Sequence, residues 1–271
     1  MDLAEIARLF DARAKRYMHD EWHRRYAEVF VAAVPLRTGD FVLDAGTGTG
    51  FAACAIARRV GPSGRVLGVD LSAAMLDAAR AAMSTQCLEN IELLRADVTE
   101  LAQIQSATFD AIVCSAGLLY MPVAKALREW HRLLKPAGIV AFSTMRVGSP
   151  TAKRVFRECA AEYGLILDDA SEPLGTEDRC RHALARGGFD PLNVIAAQVD
   201  FERLDPVTAW EANFCSAGHA AVRSLAPELQ EKLRQRYLDV LQHAMDTDPT
   251  ATSRADVLFA IGRRTDPAAG D

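Results

Sequence analysis

The sequence predicts an α/β protein built on a doubly wound, mostly parallel sheet of seven strands, with N-terminal helices and a helical lid insertion. Two observations support this fold class. Short β-rich runs alternate with helical patterns along most of the 271 residues, and the first run leads directly into a glycine-rich turn. Strands that alternate with helices are typical of parallel sheets covered by helices on both faces.

The order of the elements follows from these alternating patterns. Helices are expected over about 51–60, 72–84 and 122–134, and the turn KPAG (135–138) should lead from the last of them into the fifth strand. Short apolar runs predict strands over about 41–44, 65–70, 91–95, 109–115, 138–144, 192–199 and 256–262.

Three segments are expected from this pattern. Residues 1–37 have helical periodicity, and residues 38–200 together with 255–265 should form a ligand-binding core. Residues 201–254 separate two strands by a stretch longer than a connection needs, and their pattern is mostly helical. We expect this insertion to fold over the ligand end of the sheet as a lid.

Composition excludes several classes of function. The net charge of −5 argues against a general nucleic-acid surface, and no apolar run approaches the ~18 residues needed to cross a membrane. The N-terminus lacks a signal-peptide core, so a cytoplasmic protein is expected. Six scattered cysteines show neither the spacing of a zinc site nor that of a redox motif, so we expect no metal.

The glycine-rich turn indicates a nucleoside-containing ligand. Asp44 ends the first strand, and Gly46, Gly48 and Gly50 follow where the next helix begins. Glycines allow the backbone to approach a ligand closely, and the helix N-terminus offers free N–H groups. Asp70 ends the second strand, where a carboxylate can accept hydrogen bonds from both ribose hydroxyls.

Several kinds of nucleotide-binding turn share such glycines. The spacing of the glycines indicates which kind of cofactor the turn binds. The dinucleotide fingerprint is G-x-G-x-x-G, whereas this turn reads G-x-G-x-G and is preceded by Asp44. A carboxylate there would repel a pyrophosphate and would suit a cationic group such as an amino-acid ammonium. A nicotinamide-dependent oxidoreductase is therefore the weaker alternative.

These residues resemble the class I S-adenosylmethionine-dependent methyltransferases, of the small-molecule type similar to the ubiquinone/menaquinone C-methyltransferases. The segment LFDARAKRYMHD (9–20) also resembles the helix that precedes the core in that family. The matching pieces appear in family order over about residues 40–145: LDAGTGTG (43–50), GVDLSAAMLDAAR (68–80), ADV (96–98), FDAIVCSAGLLYM (109–121) and REWHRLLKPAGIVAFST (128–144).

The resemblance implies S-adenosyl-L-methionine as the cofactor and assigns a role to each matching position. Asp44 should face the ammonium group, with Ala45, Gly46, Thr47, Gly48 and Gly50 along the methionine part. Asp70 should bind the ribose, while Leu71, Met75, Asp97 and Val98 should surround the adenine. Ser115, Ala116 and Leu118 should border the sulfonium, and Tyr17 should cover the site from the N-terminal helix. Simple packing is the alternative role for Met75 and Tyr17.

Methyl transfer needs a general base only if the accepting atom must lose a proton. His219, in the insertion, is the favoured candidate; His19 and His23 are alternatives, and a packing role for His219 also remains open. The motif SAGL (115–118) stands where methyltransferases of amino groups on nucleobases and protein side chains carry an Asn-Pro-Pro-Tyr type motif. O-, C- or N-methylation of a small, mostly apolar metabolite in secondary or quinone metabolism is therefore expected.

The lid should determine which acceptor is bound, but its sequence is less specific. Its few clustered Lys and Arg residues do not suggest a phosphorylated substrate. A protein that binds the cofactor without methylating, as a sensor or a non-methylating catalyst, is the alternative function. We expect a small-molecule acceptor, no nucleic-acid partner and no membrane span, and the sequence leaves a homodimer open. An apolar pocket could be lined by Trp22, Tyr120, Met121, Met145, Phe201, Trp210 and Phe214.

Overall fold

The seven strands form one sheet in the order β3-β2-β1-β4-β5-β7-β6. The structure is a computed structural model that describes residues 3–265. The first five strands pair in parallel, and β7 runs antiparallel to both of its neighbours, β5 and β6. The doubly wound, mostly parallel sheet is therefore confirmed. The strand bounds are β1 Phe41–Ala45, β2 Arg65–Asp70, β3 Ile91–Arg95, β4 Phe109–Cys114, β5 Leu134–Met145, β6 Phe189–Asp200 and β7 Arg254–Arg264.

Helices precede, connect and cover these strands. Two short 3-10 helices, Leu118–Tyr120 and Ala217–His219, complete the described elements. Within residues 3–265, no helix combines the length and the apolar character needed to cross a membrane. The helix bounds are α1 Leu3–Asp11, α2 Ala14–Tyr17, α3 Glu21–Ala33, α4 Phe51–Val60, α5 Ala73–Thr85, α6 Val123–Leu133, α7 Thr151–Glu162, α8 Glu177–Arg186, α9 Pro206–Phe214, α10 Ala220–Arg223 and α11 Pro227–Thr247.

The fifth strand begins earlier than the sequence pattern predicts. Leu134 already pairs with Phe109 of β4, and the regular register resumes only where Ile139 pairs with Ala111. The residues between them, KPAG, form an irregular segment inside the strand, with Ala137 at a φ of +59°. This segment was expected to be a turn before the strand, because Pro and Gly normally end regular structure.

The sheet order brings the functional loops to one edge. β1, β2 and β4 are parallel neighbours, so the loops after them leave the sheet at the same edge, which we call the ligand edge. β6 runs in the same direction as β5, because both are antiparallel to β7. The long segment between β6 and β7 therefore leaves and re-enters the sheet at the ligand edge.

Two apolar clusters cover the two faces of the sheet, and a third lies outside it. On one face α3 and α4 pack on the strands, and on the other α6 and α8 do so. The third cluster joins α7 to α9 and α11, with Phe156, Trp210 and Tyr237 at its centre. α7 thus shares a core with the insertion. The segment boundaries 1–37, 38–200 with 255–265, and 201–254 stay predictions, and residues 1 and 2 lie outside the described residues.

Candidate functional site

The loop between β1 and α4 is tied to the end of β2 by backbone hydrogen bonds. The N–H groups of Gly46 and Thr47 both donate to the Val69 carbonyl at 2.9 Å. The Gly48 N–H donates to Oδ2 of Asp70 at 2.8 Å. The ends of the two strands therefore hold residues 46–50, which we call the glycine loop, in one conformation.

Glycine is required in this loop for two different reasons. Gly50 has a φ of +83°, and a Cβ there would lie 3.0 Å from the Cβ of Ala79, so this glycine lets α4 approach α5. Gly48 has a φ of +55°, but a Cβ there would meet no atom within 4 Å. The backbone at Gly48 thus borders open space, as a ligand-binding surface does.

Asp44 is fully buried at the end of β1 and is only half satisfied. Its Oδ2 accepts a hydrogen bond from Oγ1 of Thr47 at 2.6 Å, whereas Oδ1 has no partner among the described residues. Burial, opposed in part by the Thr47 hydrogen bond, raises the pKa of Asp44 to about 7. A buried carboxylate oxygen without a partner is costly, and a cationic ligand group would offset that cost.

Asp70 stands beside the same loop at the end of β2. Its Oδ1 accepts from the Ser72 N–H at 2.9 Å, and Oδ2 accepts from Gly48. Burial raises the pKa of this carboxyl, while these backbone hydrogen bonds oppose the rise. Each oxygen keeps a lone pair for a further donor. Asp70 can therefore hold the loop in shape and accept hydrogen bonds from hydroxyl groups at the same time. Leu71, the next residue, is partly buried.

The residues expected around the adenine differ in how accessible they are. Oδ1 of Asp97 accepts from the N–H and the hydroxyl of Thr99, and its Oδ2 lies 3.7 Å from Nζ of Lys125. Val98 is buried, and its carbonyl accepts from Nε1 of Trp130 at 3.1 Å. Met75 is also completely buried. Their roles toward a ligand stay predictions.

The segment after β4 approaches the loop from the other side. Ser115 and Ala116 are partly buried, and the Ala116 N–H donates to Oγ of Ser143 at 3.0 Å. The Leu118 side chain belongs to the apolar core, so its backbone is the part able to face a ligand. Cε of Met121 lies 3.2 Å from where a Cβ on Gly46 would stand. Ala45, in contrast, is fully buried in the strand.

The N-terminal helices connect both sides of the ligand edge. Oδ1 of Asp11 accepts from Oγ of Ser72 at 2.5 Å and from the Ala74 N–H at 3.2 Å, which attaches the end of α1 to the start of α5. The neighbouring Phe10 ring packs on Tyr120, centroid to centroid at 5.1 Å. Tyr17 packs on His23 at 4.3 Å, and burial raises its pKa. The segment 10–17 therefore spans from the end of β2 to the end of β4.

His219 lies among the helices that join α7 to the insertion. Its ring stacks on Phe156 at 4.7 Å, and Nδ1 lies 2.7 Å from the Asn213 carbonyl. Burial lowers the pKa of His219, and the charges of Lys153 and Arg157 lower it further. The ring therefore packs within this cluster, and its role as a base stays a prediction.

Two basic residues that sequence reasoning missed also lie at the ligand edge. Arg13, between α1 and α2, interacts with the Tyr120 hydroxyl, and Lys153 of α7 is within electrostatic range of Arg13. They are 140 positions apart and belong to no motif. Across residues 3–265, no group of three or more His, Cys, Asp or Glu side chains could hold a metal ion.

Comparisons with known proteins concern the family and the fold. Residues 42–138 match the family model for a methyltransferase domain. Over 166 residues the chain is 31% identical to a demethylmenaquinone methyltransferase of Staphylococcus aureus, a match that covers 59% of this chain and 66% of that enzyme, just under two thirds of its length.

Two solved structures share the fold. A putative methyltransferase of Bacillus halodurans superimposes with a TM-score of 0.60 at 16% identity, over 89% of this chain and 99% of that one. A geranyl diphosphate methyltransferase in complex with SAM, S-adenosylmethionine, gives a TM-score of 0.51 at 19% identity, over 88% and 84% of the two chains. Residues 42–138 of the chain therefore match a methyltransferase domain, and the chain is similar to a demethylmenaquinone methyltransferase.

Proposed function

We propose that the protein transfers the methyl group of S-adenosyl-L-methionine to an O, C or N atom of a small, mostly apolar metabolite. The observation that carries the proposal is Asp44, which the fold buries completely with Oδ1 unpartnered beside an open glycine loop. An amino-acid ammonium is a group that would satisfy that oxygen.

The residues of the loop fit this cofactor. Asp44 would hold the ammonium, Gly48 would let the chain approach the methionine part, and Asp70 would accept from the ribose hydroxyls. When bound, S-adenosylmethionine supplies an electrophilic methyl group on a positively charged sulfur. The protein's contribution is to orient the acceptor against that methyl group and to exclude water.

The acceptor space is bounded by the segment after β4 and by the N-terminal helices. Tyr120 and Met121 lie on one side, and Tyr17 and Trp22 come from the N-terminal segment. Aromatic and thioether surfaces suit a flat, apolar acceptor. The demethylmenaquinone methyltransferase relative supports an acceptor of quinone or related secondary metabolism.

A calorimetric titration tests the cofactor assignment. We expect micromolar affinity for S-adenosylmethionine and S-adenosylhomocysteine and no binding of NAD⁺, because Asp44 favours an ammonium and repels a pyrophosphate. Absence of binding by both sulfur compounds would refute the proposal.

A turnover measurement then separates methyl transfer from the alternative function. Small apolar acceptors are screened with the labelled cofactor, and the formation of S-adenosylhomocysteine is measured. If the protein converts an acceptor without forming S-adenosylhomocysteine, it is a non-methylating catalyst on the same fold.

A further inference from the structure

Asp20 and His23 form a close pair at the start of α3. Nδ1 of His23 lies 2.9 Å from Oδ2 of Asp20. The other carboxylate oxygen, Oδ1, accepts from the His23 N–H at 3.1 Å and caps the helix. One carboxylate therefore fixes both the beginning of α3 and the orientation of the imidazole ring.

The second ring nitrogen of His23, Nε2, stays available to a ligand. A carboxylate beside Nδ1 favours the tautomer that carries its proton on Nδ1, so Nε2 keeps its lone pair. Nε2 has no hydrogen-bond partner within residues 3–265, and 27% of the side chain is exposed. Burial raises the pKa of Asp20, but the hydrogen bonds and the charge of His23 outweigh it and hold this pKa below its usual value. Asp20 is therefore ionised at neutral pH.

Aromatic rings from three segments surround this pair. Tyr17 of α2 packs on the His23 ring with the centroids 4.3 Å apart, and Trp22 meets the ring edge to face at 4.7 Å. Trp22 also contacts Phe201 at 6.1 Å. Phe201 directly follows β6, whose end lies at the ligand edge. The pair therefore lies at this edge, between the N-terminal helices and the beginning of the insertion.

The same ring contacts lead to the segment after β4. Trp22 packs on Tyr26 at 5.3 Å, and Tyr26 packs on Phe259 at 6.1 Å. Phe259 is the register partner of Ser143, whose Oγ accepts from the Ala116 N–H at 3.0 Å. Trp22 and Ala116 also pack against the same apolar cluster. The start of α3 therefore lies on the same face of the sheet as Ala116, which is expected to border the sulfonium.

The indole of Trp22 adds a hydrogen-bond donor beside His23. Its Nε1 is buried and has no partner among the described residues. A buried donor left unpaired is costly, and a ligand oxygen would remove that cost. Nε1 of Trp22 can donate to an oxygen, and Nε2 of His23 can accept a hydroxyl proton. These two side chains therefore suit a ligand that carries a hydroxyl group.

His219, the favoured candidate base from the sequence, has a different environment. Its Nδ1 lies 2.7 Å from the Asn213 carbonyl, its ring stacks on Phe156, and it is 8% exposed. No carboxylate oxygen of residues 3–265 lies within 4.0 Å of the His219 ring. His219 therefore lacks the carboxylate that positions His23.

We propose that the acceptor carries an aromatic hydroxyl group and that His23, positioned by Asp20, accepts its proton during methyl transfer. The proposal rests on the proposed function, because it names the acceptor class of the same site. The surrounding aromatic rings favour a flat ring on the acceptor. A phenolic hydroxyl has a pKa of about 10, so an imidazole can take its proton as the oxygen reacts.

The step is a displacement at the methyl carbon. A lone pair of the hydroxyl oxygen forms the bond to this carbon, while the carbon–sulfur bond breaks and its electron pair stays on sulfur as S-adenosylhomocysteine. The hydroxyl proton moves to Nε2 of His23 and then to water. The Asp20 carboxylate stabilises the charged imidazole that forms.

Two matched probes test binding to the full chain saturated with S-adenosylhomocysteine: 2-naphthol and 2-methylnaphthalene, which lacks the hydroxyl group. We expect 2-naphthol to bind at least about fivefold more tightly. In protein labelled with ¹⁵N-histidine, the Nε2 signal of His23 should shift when 2-naphthol binds and stay in place with 2-methylnaphthalene. The loss of that signal in His23→Gln assigns it.

Variants that keep the helix start assign the effect to the two side chains. Glutamine three residues after an N-cap suits a capping box, so His23→Gln should keep α3 folded and lose the preference for 2-naphthol. Asp20→Asn also keeps the cap, because asparagine is a good N-cap, but it removes the charge that positions the ring. Asp205→Asn at the exposed N-cap of α9 and His182→Gln, exposed on α8, are the matched controls and should bind like wild type.

A second pair of acceptors separates a base from a structural role. 2-Naphthalenethiol is largely ionised at pH 8 and needs no base, whereas 2-naphthol is protonated there. His23→Gln should lower kcat for 2-naphthol at least about 100-fold and kcat for the thiol less than about threefold. Asp20→Asn should lower kcat for 2-naphthol about tenfold and leave KM nearly unchanged.

The outcomes separate this inference from the proposed function. Equal affinity for 2-naphthol and 2-methylnaphthalene, or no measurable binding of 2-naphthol, would overturn the aromatic hydroxyl acceptor even if S-adenosylhomocysteine binds normally. Binding of 2-naphthol without its methylation, or equal losses for 2-naphthol and the thiol in His23→Gln, would overturn the role of His23 as a base. Failure to bind S-adenosylhomocysteine would overturn the cofactor assignment instead, and the 2-naphthol preference is then measured on the protein alone.

Discussion

Asp44 shows how the burial of a single carboxyl group can reduce stability. Its carboxyl group is fully buried, accepts one hydrogen bond from Thr47, and leaves Oδ1 without a partner. Buried polar groups are nearly always satisfied in stable structures, so an exception at the end of a parallel strand is best explained by a ligand. The neighbouring Asp70 differs, because both of its oxygens already hold backbone N–H groups of the loop. Replacing Asp70 would therefore loosen the loop as well as remove the carboxylate proposed to bind the ribose.

Gly48→Ala is a cleaner test of the loop surface. The new methyl group meets no protein atom within 4 Å, so it should occupy ligand space. We expect affinity for S-adenosylhomocysteine to fall at least about tenfold, whereas the free energy of unfolding should fall by only about 1 kcal/mol from the positive φ. Calorimetry and urea unfolding measure the two effects.

Gly164→Ala is the matched control for this change. Gly164 has a φ of +77° and equally open surroundings, but it lies at the end of α7. The Gly164→Ala variant should lose a similar amount of its free energy of unfolding and keep its full affinity for S-adenosylhomocysteine. If the two variants bind equally well, the surface at Gly48 is not the cofactor surface.

At the level of the elements, α1 is attached through polar side-chain contacts more than through a large apolar face. None of the α1 residues is buried, and its end is held by Asp11 on Ser72 and Ala74. Ser72 also caps α5 by itself, since its Oγ accepts from the Met75 N–H at 3.1 Å. The helix α5 therefore keeps its own cap when Asp11 is removed, and only the docking of α1 depends on Asp11.

Asp11→Ala should release α1 and α2 without unfolding the sheet. We expect faster hydrogen exchange over residues 3–18, a change of less than about 1 kcal/mol in the free energy of unfolding, and several-fold weaker binding of S-adenosylhomocysteine. Asp77→Ala, which removes an exposed carboxylate from α5, is the control. It should change neither the hydrogen exchange, nor the free energy of unfolding, nor the affinity for S-adenosylhomocysteine. Unchanged exchange in Asp11→Ala would show that other contacts hold the N-terminal helices.

The sequence predicts most elements and the loop chemistry, but not the contacts between distant segments. α4 and β2 match their predicted bounds because an apolar pattern and a following glycine or aspartate define them locally. The early start of β5 depends on its pairing with β4, which no local pattern shows. The contact of Asp11 with Ser72 likewise depends on two segments that meet only in the folded chain.

For the whole molecule, Asp44 links stability to pH. Its pKa rises from 3.8 to about 7 on folding, so between about pH 4 and 7 the folded state keeps a proton that the unfolded chain has already released. The free energy of unfolding therefore falls as pH rises through this window. Above about pH 7, the whole contribution of the Asp44 proton is lost.

Asp44→Asn should be more stable than wild type at pH 8, by about 1–3 kcal/mol, and nearly equal to it at pH 4.5, because the amide carries no charge to bury. Urea unfolding at the two pH values measures the difference. Asp77→Asn, at an exposed position, should show no such pH-dependent gain. A less stable Asp44→Asn at pH 8 would contradict the assigned environment of Asp44.

The position of the insertion has a consequence for how such a protein can change over evolution. The insertion joins β6 to β7, which are adjacent antiparallel strands, so it occupies the place of a hairpin loop. The glycine loop, Asp44 and Asp70 belong to strands on the other half of the sheet. Loop length has a small effect on closure free energy, so this segment can lengthen, shorten or be exchanged while the strand register is kept. Such an arrangement lets one half of the sheet acquire new chemical selectivity while the other half is inherited unchanged.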